Sequence, residues 1–442
     1  MLMRPLIFFG TVIFFSLLLV ACATKRNPNA DGDLTRETWR SLVVTGAKGW
    51  DKGADHWFFT AEPNGTEVAN RTAPISDSIS TMTVRAGSFT TIKANGAFQV
   101  QIFGTDEGDP NSIYVNGPNT GIQAIAIEQQ GNTLYVRQTQ EIPVNIMRRM
   151  IVRIGVHQLN QLVQMGSGTV EVIRIQSQSL SIKSIGSGNV YVVGRINLKR
   201  VTQNGSGSIN VFNVNTPNLI IETTGSGAVN IAGRVGIRSI VHHGQSDINI
   251  VGADSDLLDI YADGSGKIGI DGKVNVRSVD ARDTTCVYVL QARSDCIEVN
   301  VAGHASVGIA GMTNDLYVTT QDATFFGGQY LCAQNAYVTA TGHSHINVTA
   351  SNRIFASASQ QSSIYFFGPS ALLDKYSSGD GAILPIGGRN WCNYDSEFRA
   401  YSYTYARKGE TILHSYAGDR GAKQSGTHYR HRHAVPASQY IK

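Results

Sequence analysis

Gly205-Ser-Gly-Ser-Ile-Asn-Val211 and Gly225-Ser-Gly-Ala-Val-Asn-Ile231 spell the same phrase twenty residues apart. The phrase recurs in both directions. Gly166, Gly205 and Gly244 stand 39 residues apart, and their column continues at Asp283, Asp322 and Gln361. Gly186, Gly225, Gly264, Gly303 and Gly342 divide each 39-residue unit into halves of 20 and 19. Five of these positions open a Gly-Ser-Gly triplet, at 166–168, 186–188, 205–207, 225–227 and 264–266. A short period this regular describes a stack of identical supersecondary units.

Four residues after each marker the chain holds Val or Ile at every step from Val170 to Val307. Two residues further on it does so again, from Val172 to Ile309. Four residues before the marker, Leu, Ile or Val stands at each position from Leu162 to Val299. Alternation of this kind is the strand signature. Each unit therefore reads as a strand, a Gly-rich turn, a second strand and a further short segment. A unit of about 19.5 residues buries nothing alone. Stacked coils about 4.8 Å apart turn the β-branched columns into apolar ladders inside a tube. Eleven spacings from Gly166 to residue 381 then make a rod on the order of 50 Å long. Glycine suits the turns through its access to φ > 0. A β-propeller, with a period nearer 40, competes for the 39-residue unit, but two near-equal halves with their own turns favour a solenoid. The expected fold class is all-β, a parallel β-helix.

Five residues after the marker the column is polar, and it holds Asn210, Asn230 and Asn249 on consecutive coils. Stacked amides are a structural device of cross-β packing, so this run predicts a ladder rather than a binding site.

The N-terminus carries an address. Arg4 precedes an apolar run from Leu6 to Val20 that is too short for an ordinary membrane span. The run ends in Leu19-Val20-Ala21-Cys22, which resembles a bacterial lipobox. The resemblance implies that residues 1–21 are a lipoprotein signal peptide and that Cys22 is lipidated, with diacylglycerol on its thiol and a palmitate-type chain. Ala23, in place of the retaining aspartate, implies the outer membrane, on either face. More than one lipid chain gives firm anchoring. Residues 22–80 lack the repeat and read as a tether, with a small ordered piece around Trp39, Trp50, Trp57, Phe58 and Phe59. The β-helix spans 84–385. Residues 386–442 read as an aromatic cap, from Trp391 to Tyr405, and a basic His/Arg-rich tail.

The chain has 37 basic and 33 acidic residues, a net +4. Arg389 to Lys442 alone holds nine basic and four acidic residues. The remainder is close to neutral, so no field argues for nucleic acid as a partner. Beyond Cys22, the cysteines are Cys286, Cys296, Cys332 and Cys392. They lack Cys-x-x-Cys spacing, which leaves a zinc knuckle unsupported, and an exported protein allows disulfides whose connectivity stays open.

Ahead of the regular coils come Phe89-Thr-Thr-Ile92, Gly96-Ala-Phe-Gln-Val100 and Ile113-Tyr-Val-Asn-Gly117. Gln130-Gly-Asn-Thr-Leu-Tyr-Val136 and Leu162-Val-Gln-Met-Gly-Ser-Gly168 follow. This order resembles the putative auto-transporter adhesin family, or head-GIN domain, from Val84 to Ser370. The resemblance implies a right-handed β-helix on an exported protein, and it brings no catalytic residues. After about residue 283 the triplets decay to Asp-Thr-Thr, Gly-His-Ala, Asp-Ala-Thr and Gly-His-Ser.

An enzyme acting on polysaccharide needs clustered carboxylates on one outer face. Asp247, Asp263, Asp283, Asp295 and Asp322 fall in different columns or on separated coils. His304 and His343 share a column two coils apart, roughly 9.6 Å, too far for joint ligation. His343 and His345 form at most half a metal site, and no cofactor is implied. Two basic columns stand out. Arg195, Arg234 and Lys273 recur every 39 residues, and so do Lys199, Arg238 and Arg277. They predict two short basic rows suited to an anionic glycan, lipopolysaccharide phosphates or an acidic protein face. Asp254, Asp256, Asp259 and Asp271 stand near enough in sequence to neutralise part of them. The expected function is non-enzymatic: a lipid-anchored envelope protein whose rod is a scaffold or binding surface. The alternative is an accessory subunit of an outer-membrane assembly such as a secretion system.

Overall fold

The computed structural model describes residues 78–104, 112–369 and 372–386. Cys22, the tether tryptophans, the aromatic run from Trp391 and the basic tail lie outside these residues.

The repeat builds a parallel β-solenoid of about 12 turns, with coils about 19 residues apart. Each coil from β9 (Val170–Ser184) through β10 (Val190–Gln203), β11 (Ile209–Thr223), β12 (Val229–Gly244), β13 (Ile248–Gly264) and β14 (Lys267–Ala281) is one long extended segment. It runs on through β15 (Cys286–Val301), β16 (Ser306–Thr320), β17 (Phe325–Ala340) and β18 (His345–Ala358). Val190 pairs with Ile209, Ile209 with Val229 and Val229 with Ile248, all in parallel register. Parallel pairing over such a run excludes the propeller, whose blades are antiparallel meanders.

Within a coil the register shifts twice, for example between Val193 and Ile196 and again between Ile196 and Arg200. With the Gly-Ser-Gly turn these breaks make three corners, so each coil has three sides. Arg174, Asn213, Gly233, Gly252 and Gly272 turn the second corner with positive φ. Inside, one coil contributes Val229, Ile231, Val235, Ile237 and Ile240, each at most 1% exposed. A buried side chain of this size is worth roughly 1.5–3 kcal/mol, so these ladders dominate the stability.

The glycines of the early triplets have a different reason from the expected one. Gly166, Gly186, Gly205 and Gly225 do not occupy the left-handed region. A Cβ on Gly205 would lie 1.9 Å from the carbonyl oxygen of Gly186 on the coil below. Close stacking of turn on turn, not φ > 0, demands glycine there. Where the triplets decay the reason changes, because Asp283 and Asp322 do take positive φ, at 57° and 64°. Their carboxylates accept the Gly264 and Gly303 backbone N–H groups at 3.1 and 3.0 Å.

The N-terminal end is closed by an excursion. β2 (Thr91–Asn95) and β3 (Gln99–Gly104) form the first coil, stacked on β8 (Gln161–Gln164) and β9. Between them the chain makes β4 (Ser112–Pro118), β5 (Ile125–Gln130), β6 (Thr133–Gln138) and β7 (Ile151–Val156), with two short helices, Asn119–Gln123 and Val144–Met147. β6 and β7 pair with the free edges of β2 and β3. β4 runs antiparallel to β7 and to β1 (Ile79–Arg85), and β5 antiparallel to β6. β6 and β7 add one more parallel layer under the first coil, and the antiparallel β5 and β4 then cover their outer edges, which is the form of cap a solenoid requires.

Candidate functional site

Two residues before each of the first five markers lies an inward polar column that hydrophobic patterning does not announce: Gln164, Ser184, Gln203, Thr223 and His242, all at most 1% exposed. The Ser184 hydroxyl donates to Gln164 Oε1 at 3.0 Å, and Thr223 Oγ1 meets His242 Nδ1 at 2.7 Å. Gln203 Oε1 accepts the Gly205 N–H at 2.8 Å, and its amide nitrogen donates to the Gly207 carbonyl. These side chains brace the triplet turns from inside. Burial holds the His242 imidazole below its ordinary pKa.

The asparagine ladder forms as expected. Asn230 donates to Asn210 at 2.8 Å and Asn249 to Asn230 at 2.9 Å. In the same column Glu171 is only 1% exposed and accepts from Gln101 at 3.2 Å. Burial pushes its carboxyl up, against the pull of the Gln101 and Gln99 amides.

All six residues of the basic columns are exposed, each row on a single corner of the coil. Their coils alternate with others, because 39 residues are two turns. Gln176, Asn215 and Asp254 occupy the intervening places beside Arg195, Arg234 and Lys273. Asp254 accepts from Arg234 at 2.9 Å, and Asp259 from Arg277 Nε at 2.7 Å. Burial pushes the Asp259 carboxyl up, but the Arg277 and Ser278 hydrogen bonds and the Arg277 and Arg238 charges outweigh it and hold it below its ordinary value. Asp271 is no counter-ion, since it is 8% exposed and accepts from Gln291 at 2.9 Å. Among the described residues, Arg234 and Arg277 are the members of the two columns with an ion pair, and Arg195, Lys273, Lys199 and Arg238 carry none, two in each column.

The scattered carboxylates are engaged in structure. Asp247 accepts the Lys267 N–H at 3.1 Å, Asp295 accepts from Asn314 at 3.2 Å, and Asp263 pairs with His243 at 2.8 Å. No group of three His, Cys, Asp or Glu able to hold a metal occurs among the described residues. His345 bonds the Ser363 hydroxyl, and burial, followed by the nearby His343, lowers its pKa. Cys286 and Cys332 each stand in a disulfide, while Cys296 is free and exposed. Burial and then the Asp315 and Glu298 carboxylates push the Cys296 thiol up, which makes it a poor nucleophile.

The most distinctive outer surface lies on the third side of coils β15 to β18. Glu298, Tyr317, Tyr337, Phe355 and Asp374 stand in one register column, the last on β20 (Leu373–Ser377). Tyr317 and Tyr337 stack with ring centroids 4.8 Å apart and planes 8° apart, and Tyr337 and Phe355 at 5.2 Å and 9°. A parallel column of Asn300, Thr319, Thr339, Ser357 and Tyr376 runs along one flank, and Cys296, Asp315, Asn335 and Arg353 run along the other. Asn335 donates to Asp315 at 3.0 Å. The inward neighbours Leu316, Val318, Ala336 and Val338 are buried, so the aromatic column faces out. Its sequence signal is an aromatic residue five places before Asp322 and Gly342 and six before Gln361.

Fold and surface together define an all-β solenoid with regular outer ladders and no clustered catalytic groups among the described residues. The family model of the putative auto-transporter adhesin, head GIN domain, matches residues 88–277 and 256–369, and the chain belongs to that family. No protein of curated function matches it. Among solved structures it is similar to a putative adhesin from Bacteroides fragilis, at 14% identity over 70% of this chain and 98% of that one, with a TM-score of 0.28. It is also similar to a putative adhesin from Parabacteroides distasonis, at 14% identity over 70% and 98%, with a TM-score of 0.24. A putative lipid binding protein from the same organism matches at 12% identity over 70% and 97%, with a TM-score of 0.22. Superpositions this loose transfer no site.

Proposed function

We propose that this chain is a non-enzymatic cell-envelope protein, anchored in the outer membrane through lipid on Cys22, whose β-helical rod serves as a binding surface. The observation that carries the binding role is the third side of the last coils. A solenoid needs nothing of its outward positions except solubility, and on earlier coils of this side they hold Ser181, Lys183, Thr202 and Glu222, with Ile220, Val241 and Tyr261 among them but no row of three stacked rings. Three exposed or half-exposed aromatic rings in a straight row, flanked by hydroxyls and amides, exceed that need. Adhesin-family membership agrees with a binding role rather than turnover. The lipobox-like Leu19-Val20-Ala21-Cys22 supports the anchor.

The test is acyl labelling and membrane fractionation of the wild type and Cys22→Ser, followed by size separation after gentle detergent extraction. The expected wild type is labelled, fractionates with the outer membrane and runs without stoichiometric companions, while Cys22→Ser is unlabelled and released. Labelling that survives Cys22→Ser would remove the anchor. Migration in a large stoichiometric complex would replace the binding rod by the assembly-subunit reading.

A further inference from the structure

The aromatic ladder has two unlike ends. At the C-terminal end the Arg353 guanidinium lies 4.1 Å from the Phe355 ring centroid, and Asp374 accepts from Arg353 Nε at 3.0 Å. That ring face is closed by a cation already neutralised by its own carboxylate. In the middle, Tyr337 is stacked on both faces. At the N-terminal end Tyr317 is stacked on one face only. Its column neighbour on the coil below is Glu298, not an aromatic residue, and Tyr317 is 44% exposed. The second ring face opens onto a recess lined by Cys296, Glu298, Asn300 and Thr319.

We propose that this recess is a saccharide subsite, in which a sugar ring stacks on the open face of Tyr317 and hydroxyls bond Glu298, Asn300 and Thr319. The deduction rests on the binding role proposed above and names its ligand class. An aromatic face carries negative charge density and attracts the weakly positive C–H face of an apolar-sided ring. Ligand sites pair such a surface with a few convergent polar groups that fix orientation. Here those groups both give and take. The Glu298 carboxylate accepts, the Asn300 amide donates and accepts, and the Thr319 hydroxyl does either. A polyhydroxylated neutral ligand uses all three. A simple cation would use the ring and the carboxylate but not the donors, and Asn300 already donates to Glu298 at 3.3 Å. Beyond the recess, Thr339 and Ser357 follow Thr319 at one hydroxyl per coil, about 4.8 Å apart. They offer hydrogen bonds to further units of a chain laid along the ladder, so the ligand class is an oligosaccharide.

The experiment is saturation-transfer NMR and titration on the full chain with four probes: a chito-oligosaccharide, a cello-oligosaccharide, a malto-oligosaccharide and choline. At least one oligosaccharide binds, with transfer strongest to its ring C–H protons. Tyr317→Ala weakens that binding at least roughly tenfold, while Tyr317→Phe, which keeps the ring face, weakens it by no more than about threefold. Glu298→Gln weakens it by a further several-fold factor, and Lys183→Ala, on the same side but several coils away, leaves it unchanged. Circular dichroism confirms that each variant is folded. The deduction is overturned if none of the oligosaccharides binds, if only choline binds, or if folded Tyr317→Ala binds as the wild type does. Those outcomes leave the anchored rod standing, because acyl labelling and native size do not depend on Tyr317.

Discussion

At the scale of single residues, the side chains that matter most are polar groups in unexpected places. His242 is wholly buried beneath the turn of Gly244, and desolvation outweighs the attraction of the Asp263 and Asp247 carboxylates, which acts to raise its pKa. Its folded pKa therefore lies below the unfolded value of 6.5. As pH falls through 6.5 the unfolded chain takes up the proton first, so stability is present above that pH and drains away below it. Urea melts at pH 7.5 and 5.5 test this against His242→Gln, which installs the residue that Gln203 and Gln164 already supply in the same column. The wild type loses more stability between the two pH values than the variant does. An equal loss in both would mean that His242 is not the titrating group. This column was not legible beforehand, because Gln, Ser, Gln, Thr and His share no chemistry that a pattern of apolar residues records. The asparagine ladder was legible because identical amides stood at three consecutive steps.

At the scale of the coil, glycine decides how close two turns approach. The repeat of Gly-Ser-Gly located one of the three corners of each early coil, yet the expected conformational reason applies only to later markers such as Gly264, at φ 103°. Sequence spacing records which residue recurs, not whether φ or a neighbour requires it. At Gly205 the requirement is a neighbour, and backbone cannot move aside as a flexible side chain can. Gly205→Ala forces two coils apart and costs about 1–3 kcal/mol, whereas Ser206→Ala, on the exposed tip of the same turn, changes stability by no more than about 0.5 kcal/mol. Thermal melts of the two variants decide the matter. A Gly205→Ala protein as stable as Ser206→Ala would mean that the turns are not packed this tightly. The same spacing logic explains the basic columns. A period of 39 groups Arg195 with Arg234 and Lys273, but the intervening coil supplies Asp254, bonded to Arg234 and twenty residues away in sequence. A reading confined to one column misses that neutralisation.

At the scale of the whole molecule, the stack is close to one-dimensional, and its stability is a sum of coil and interface terms. The middle was readable because each coil repeats the last. The ends were not, because residues 112–156 repeat nothing and their capping role appears only in the pairing of β6 with β2 and β7 with β3. That cap makes the two ends of the described rod unequal. β2 is paired on both sides, by β6 and β8, and its Ile92 is fully buried. At the other end β20 pairs with β18 and β21 (Ala382–Ile386) with β19 (Ser363–Phe367). Among the described strands neither has a partner on its far side, and Tyr376 and Leu384 are 68% and 44% exposed. Opening free energy in a stack falls toward an unpaired edge, where few contacts hold each amide. Hydrogen exchange followed by mass spectrometry therefore reads a gradient: amides of β20 and β21 exchange first, those of β10 to β16 last, and those of β2 and β3 nearly as slowly as the middle. Equal exchange at the two ends would mean that the 112–156 excursion does not act as a cap, or that the far edge is covered as well as the near one. Slow exchange in β20 and β21 that disappears on reduction would assign the cover to a disulfide-held segment.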